Sequence, residues 1–367
     1  CFGCCCAGAC SHYRGMTSTF RVLLSESSAP AAFTAELSFS ALTVNKLLNA
    51  AGSASVTIPL DSYLSDVITV TPADTLMWVE RGGELIFGGI VWTMQGDTAT
   101  NTATLSAGDF HSYYARRIIA STSAEFTAED QLDIGRGLID YANAVTDSLT
   151  IVGTSGTNTS GVTRTVSYPS WQHHNVANAL EQTAMVNDGF DFYYETAYVA
   201  GVPTVELVCV YPNTGTATDI VFDLDAHIER LTFGLDGSQV ATQVHSLGAG
   251  EGPDHLHSIQ TQAGATLLQY VYSADDVSDL TELALRGNRQ LAMRRAYVNS
   301  LTAVMRTDID PTPDAYSVGD LVAVRASKGL LDIAGSFRIV QKSTSFSANQ
   351  EVVTVTLADA AAFAEIV

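Results

Sequence analysis

Basic residues are scarce in this sequence. Its 367 residues hold 18 Lys plus Arg against 39 Asp plus Glu, a formal net charge of −21. Nucleic-acid binding depends on basic groups that neutralise phosphates, so this balance argues against a DNA reader. A conduit along which DNA slides without sticking remains compatible with it. Cysteine is nearly confined to one end: Cys1, Cys4, Cys5, Cys6 and Cys10 fall within the first ten residues, and only Cys209 lies in the body. The body is therefore expected to be built without disulfides, as suits assembly in a reducing cytoplasm. Cys209 occupies an alternating strand position and reads as a small buried hydrophobe. No apolar run reaches the length of a membrane span. Catalytic signatures are missing too. There is no G-x-S-x-G elbow for an acyl nucleophile, and GAGEG (Gly248 to Gly252) lacks the Gly-Lys-Ser/Thr and βαβ setting of a phosphate loop.

What remains is a chain long enough for two or three domains, each able to bury a core. Only 16% of it is charged, which leaves a large uncharged surface of the kind an assembly subunit carries. Residues 1–16 match nothing that follows and read as a leader or a start-site artefact, with Met16 beginning a sensible protein sequence. Cys4, Cys5 and Cys10, with His12, are weak metal candidates, because zinc sites usually pair two ligand knuckles and no second one exists here. The segment has neither the basic start nor the apolar core of a secretory signal.

Strand patterning dominates the body. FRVLL (Phe20 to Leu24) and FTAELSFSALTV (Phe33 to Val44) read as entry strands, and in GSASVTIPL Ala54, Val56 and Ile58 alternate with polar residues. LMWVE and LIFGGIVWTM flank the turn Arg81-Gly82-Gly83-Glu84, a strong hairpin signal. Gly88-Gly89 inside the second run suggests a bulge or bend. TATNTATLSA (Thr98 to Ala107) then leads into GDFHSYYARRI.

From about residue 119 the texture changes to two amphipathic helices and a hairpin. Thr127 is placed to cap a helix through Asn143, with Glu129 and Asp130 in its first turn. The Gly/Ser/Thr-rich stretch 150–163 reads as an exposed loop. A second helix carries Val176, Ala177, Leu180 and Ala184 on one face, with His173 and His174 pointing to different sides of it. GFDFYYE and TVELVCVYP pair as strands. From about Asp219 strands return, with a helix over about 273–297 whose acidic start and basic end suit its macrodipole. YSVGDLVAVRA, SFRIVQKSTSFS and EVVTVTLA close the chain.

This succession resembles the hub proteins, often called minor tail proteins, at the tail tip of long-tailed phages. The likeness rests on the Gly-Ser strand ending in Pro-Leu, the "G-G-I-V-W" strand, the Ala-Gly-Asp-Phe segment closing on Tyr and an Arg pair, and the late V-G-D, F-R-I-V and V-T-V-T-L strands. It covers most of residues 17–367. The resemblance implies a mainly β fold with an α+β insertion: two tail-tube-like β-barrels, at 17–118 and 219–367, joined by a small α+β domain at 119–218. Hub barrels can be discontinuous, so part of 219–250 can belong to the first. It further implies a homotrimeric, pseudo-sixfold ring in the virion that joins a hexameric tail tube or distal tail protein above to trimeric tip or fibre proteins below. The tape-measure protein would sit inside, and DNA would pass through the lumen without specific binding. No cofactor and no catalysis are implied.

The residues bear on two other classes. His255 and His257, with His245 upstream, are weak metal candidates for a tail-associated cell-wall hydrolase; on one strand they would share a face, yet the His-x-x-x-Asp partner is missing. A host carbohydrate-binding module would need an exposed aromatic platform, and the apolar neighbours of Trp78, Trp92 and Trp171 suggest that all three are buried. Arg116-Arg117 and Arg294-Arg295 read as partner contacts or salt bridges.

Overall fold

The computed structural model describes residues 20–359, apart from 61–69, 187, 213–214, 216, 265, 276, 295–297 and 330. Its first part comprises β1 (Phe20–Glu26), β2 (Ala29–Leu37), β3 (Ala41–Leu47), β4 (Ser53–Pro59), β5 (Thr75–Arg81), β6 (Glu84–Asp97) and β7 (Thr102–Asp109). They lie in the order β3-β4-β7-β6-β5-β1-β2, all neighbours antiparallel. The alternation in β4 becomes packing, because Ala54, Val56 and Ile58 are buried in one core with Leu42, Val44, Ala103 and Leu105. Gly82 and Gly83 turn β5 into β6 with φ of 63° and 96°, a region L side chains avoid.

The Gly88-Gly89 pair works differently from expectation. Register shifts fall on either side of it, at Ile86 against β5 and at Trp92 against β7. The glycines instead make room. A Cβ at residue 88 would stand 2.5 Å from Trp78 Cζ3, and one at 89 would stand 2.2 Å from the Gly108 carbonyl oxygen. Trp78 needs that room because β5 is covered on both faces. Met77 and Val79 enter the core of the first strand group, while Leu76 and Trp78 enter that of the next region. An unbroken apolar run is the pattern of such a strand.

The middle region contains α1 (Phe110–Tyr114), β8 (Ala124–Asp130), α2 (Gln131–Asn143), β9 (Val152–Gly153), β10 (Thr163–Tyr168), α3 (Val176–Ala184), β11 (Asp191–Val199) and β12 (Val202–Val210). β8 pairs with β10, and β12 lies between β11 and β9. The cap of α2 is Asp130, whose Oδ1 accepts the Leu132 N–H at 2.9 Å. Thr127 cannot serve, because residues 124–130 belong to β8. The polar stretch 150–163 is fastened down rather than free. Asp130 Oδ2 accepts the N–H groups of Ser160 (2.9 Å) and Gly161 (2.8 Å), and Asn158 donates to the Cys209 carbonyl at 2.8 Å. His173 and His174 precede α3: His173 has φ 53° after a short 3-10 turn, and Asn175 caps the helix.

The last part holds β13 (Ala217–Asp223), β14 (Ile228–Asp236), β15 (Gln243–Leu247), β16 (His257–Thr261), β17 (Gln269–Ser273), α4 (Leu280–Arg294), β18 (Val298–Met305), β19 (Leu321–Lys328), β20 (Leu331–Ser347) and β21 (Gln350–Asp359). A second strand group runs β14-β18-β21-β20-β19-β13, antiparallel among the described residues except for β13 with β19. Its own core contains Phe222, Ile228, Leu301, Val324, Ile339 and Val355. Residues 231–252 do not supply two strands to this group. β15 leaves it to form a separate sheet, β16-β15-β17, on which α4 packs. That helix starts only at Leu280, where the Asp279 carboxylate accepts the Glu282 N–H at 2.9 Å.

β20 unites the molecule. Residues 331–338 pair with β19, residues 341–347 pair with β3, and β21 runs along the opposite edge. The two groups thus share one 13-stranded sheet. Each strand group has a core of its own, but the two expected closed barrels do not appear: among the described residues the main ladder runs open from β14 to β2.

Candidate functional site

Histidine was the first candidate for chemistry, and the structure regroups it. His255 lies before β16, after a 3-10 turn at Gly252–Asp254, and its Nδ1 is 2.9 Å from the Gly248 carbonyl oxygen. It does not share a strand face with His257. Instead His245 and His257 meet, diagonally across β15 and β16, with Nδ1 to Nε2 at 3.2 Å and rings nearly parallel at 17°. Among the described residues no group of three or more His, Cys, Asp or Glu converges to hold a metal ion. Cys4, Cys5 and Cys10 lie outside the described residues. Cys209 is buried on β12, where burial pushes its thiol up to about 12 and makes it a poor nucleophile at neutral pH.

The buried ionisable groups hold elements together. His111 Nε2 stands 2.8 Å from Glu181 Oε1, joining α1 to α3. Arg338 of β20 pairs with Asp191 of β11, both buried. Arg164 of β10 lies 3.4 Å from Glu282 of α4, which also reaches Arg286 at 3.3 Å. Arg116 lies 3.6 Å over the Trp92 ring, and Arg294 lies 4.0 Å over that of Tyr270. These arginines are therefore engaged by rings of the same chain, while Arg295 falls outside the described residues.

A site of another kind lies at the two ends of the sheet. Among the described residues β2 borders only β1, and β14 borders only β18 along the ladder. Each carries a large apolar side chain at the surface: Phe33 on β2 is 39% exposed and Phe233 on β14 is 49% exposed. Phe233 follows Leu231 on the same strand face, so it continues that face past the end of the core. Unpaired strand edges offer backbone N–H and C=O groups to another strand. Trp171 is 74% exposed, contrary to its expected burial, because it sits in the turn before α3. The other two do not join it in a platform: Trp78 is fully buried and donates to Ser25, and Trp92 lies under Arg116.

Sequence could not reveal these edges, because an edge is defined by which strands fail to find a neighbour.

No protein-family model matches the sequence, and no curated protein matches it at the sequence level. Solved structures do. A tail protein from Neisseria meningitidis superposes with a TM-score of 0.61 at 15% identity, over 93% of this chain and 96% of the other. The 43 kDa tail protein of prophage MuSo2 from Shewanella oneidensis gives 0.61 at 12% identity, over 94% and 99%. A prophage tail protein from Listeria monocytogenes gives 0.55 at 11%, over 92% and 94%. The chain therefore has the fold of phage tail proteins, along nearly its whole length. Among the described residues no helix is long and apolar enough to cross a membrane.

Proposed function

We propose that this chain is a structural subunit of a phage tail tip. Three copies form a hub whose two strand groups per chain stand as six similar units around an opening. The ring joins a sixfold tail tube or distal tail protein to trimeric tip or fibre proteins, with the tape-measure protein inside and DNA passing through. The observation that carries the reading is the doubling of strand groups, each with its own core, within a chain whose fold matches tail proteins over 93% and 94% of its length. Closed ring symmetry asks for complementary side surfaces rather than an active site. β2 and β14, at opposite ends of the sheet, are suited to meet across copies. The scarcity of basic groups suits a channel that DNA must leave without adhering.

The test is native mass measurement of the full chain at micromolar concentration, alone and as Phe33→Glu and Phe233→Glu. The expected result is a trimer that either substitution splits into single chains. A monomer for the unaltered chain, or a trimer indifferent to both changes, overturns the proposal that these edges close the ring.

A further inference from the structure

The chain has three lysines, Lys46, Lys328 and Lys342. Two of them stand directly opposite one another: in the β3–β20 ladder that joins the two strand groups, Lys46 is the register partner of Lys342. Like charges placed opposite on one sheet face are destabilising. With acids outnumbering bases by two to one, such a pairing demands a cause.

Both lysines line a cavity of about 400 Å³ between the first strand group, the β11–β12 hairpin and the loop at residues 313–320. Lys342 donates from Nζ to the carbonyls of Pro313 (2.5 Å) and Tyr316 (3.0 Å) and lies over the Tyr316 ring. Lys46 is exposed at the mouth of this cavity, and among the described residues its ammonium has no hydrogen-bond or ion-pair partner. Desolvation lowers the pKa of both amines, that of Lys342 to about 8, with the neighbouring Lys46 charge adding to the effect at Lys342.

Acidic groups around the cavity are committed elsewhere. Asp314 pairs with Arg81, which also donates to Glu351 at 3.1 Å. Asp320 accepts the Ser317 N–H at 2.7 Å, and Asp109 accepts the Gly52 N–H at 2.6 Å. Glu195 alone acts on Lys46, and only through longer-range attraction. The wall also carries the hydroxyls of Thr344 and Ser317.

We propose that this cavity binds a small oxyanion, phosphate or carboxylate, held between the ammonium groups of Lys46 and Lys342. An ammonium is a point donor suited to such oxygens. One anion between the two would relieve their repulsion and supply the partner Lys46 lacks. This inference does not depend on the ring.

Because there are only three lysines, the test can be read site by site. The full chain, labelled with ¹⁵N and ¹³C in lysine, is titrated with inorganic phosphate and separately with succinate, and the three side-chain resonances are followed by NMR. The expected result is saturable shifts of the Lys46 and Lys342 signals, with Lys328 on β19 unmoved. Saturation by phosphate identifies a free anion as occupant. Saturation by succinate alone identifies a carboxylate, such as one carried by another polypeptide.

Removing one charged hydrogen-bond donor in Lys46→Met should weaken binding about tenfold or more. Binding should also fade as pH rises through the Lys342 value of about 8, where Lys46, Arg81, Asp314 and Glu351 surround the losing charge and Glu195 acts on Lys46. Equal response of all three lysines, or no saturable shift with either anion, overturns the site. The titration of the unaltered chain decides this even where the variant fails to fold.

Discussion

The two strand groups, continuous with each other through the β3–β20 ladder, meet the middle region by opposite kinds of contact. The first shares an apolar core with the middle region: Leu23, Leu76, Trp78, Leu85 and Ile90 pack with Ile134, Leu138, Leu180 and Phe192. The second has a core of its own and reaches the middle region through the buried Arg338–Asp191 pair. The inserted sheet with α4 likewise reaches it through Arg164 and Glu282. Apolar burial is non-directional and scales with area, so the first group and the middle region should unfold as one body. Ionic pairs fix direction and register while adding little net stability. The comparison teaches that one half of the sheet is welded and the other is pinned.

The largest expected effect tests the weld. Trp78→Ala empties the space between β5 and the middle core and leaves Ser25 without its donor, and should cost about 3–5 kcal/mol. Chemical denaturation followed by tyrosine fluorescence, with Tyr114 and Tyr194 as middle-region reporters, should show both regions weakening together. Loss confined to the first group would break the comparison. Next comes the pin. Arg338→Met removes the paired cation from the buried Asp191 carboxylate, which keeps the bond from Asn49 at 2.8 Å, and should cost about 3–4 kcal/mol, while adding Asp191→Asn should restore much of it. Calorimetry of the single and double variants checks this, and a double variant no better than the single one would contradict it.

A smaller effect sharpens the picture at the handover from β7 to α1. Burial pushes the Asp109 carboxyl up to about 6, against its hydrogen bonds from Gly52 and His111. The folded state therefore binds this proton more tightly than the unfolded state does. The stability it contributes is fully present below the ordinary carboxylate pKa and is lost as pH rises through 6. Asp109→Asn escapes that loss, so its stability relative to the unaltered chain should rise by up to about 3 kcal/mol between about pH 4 and pH 7. A difference that stays constant with pH would show that the buried charge is not the cause.

Much of the fold was legible because strands announce themselves locally. Period-two alternation placed β4, and the Gly82-Gly83 turn placed β5 and β6. Pairings far apart in sequence were not legible. SFRIVQKSTSFS read as one member of a closing hairpin, yet its strand begins at Leu331 and its second half pairs with β3, almost 300 residues earlier. That hidden pairing also concealed the meeting of Lys46 with Lys342, although the rarity of lysine was there to be noticed. His245 and His257 meet for a similar reason: diagonal neighbours depend on register, and the adjacent His-Leu-His spelling pointed at the wrong partner. The Asp130 cap was misplaced by three residues because β8 runs directly into α2 without a loop.

Electron microscopy of the assembled full chain tests the central claim most directly. The expected result is a three-fold particle with six similar lobes around an open centre, two lobes from each chain, with β2 of one copy beside β14 of the next. Particles of single chains, or a ring with one lobe per chain, would contradict it.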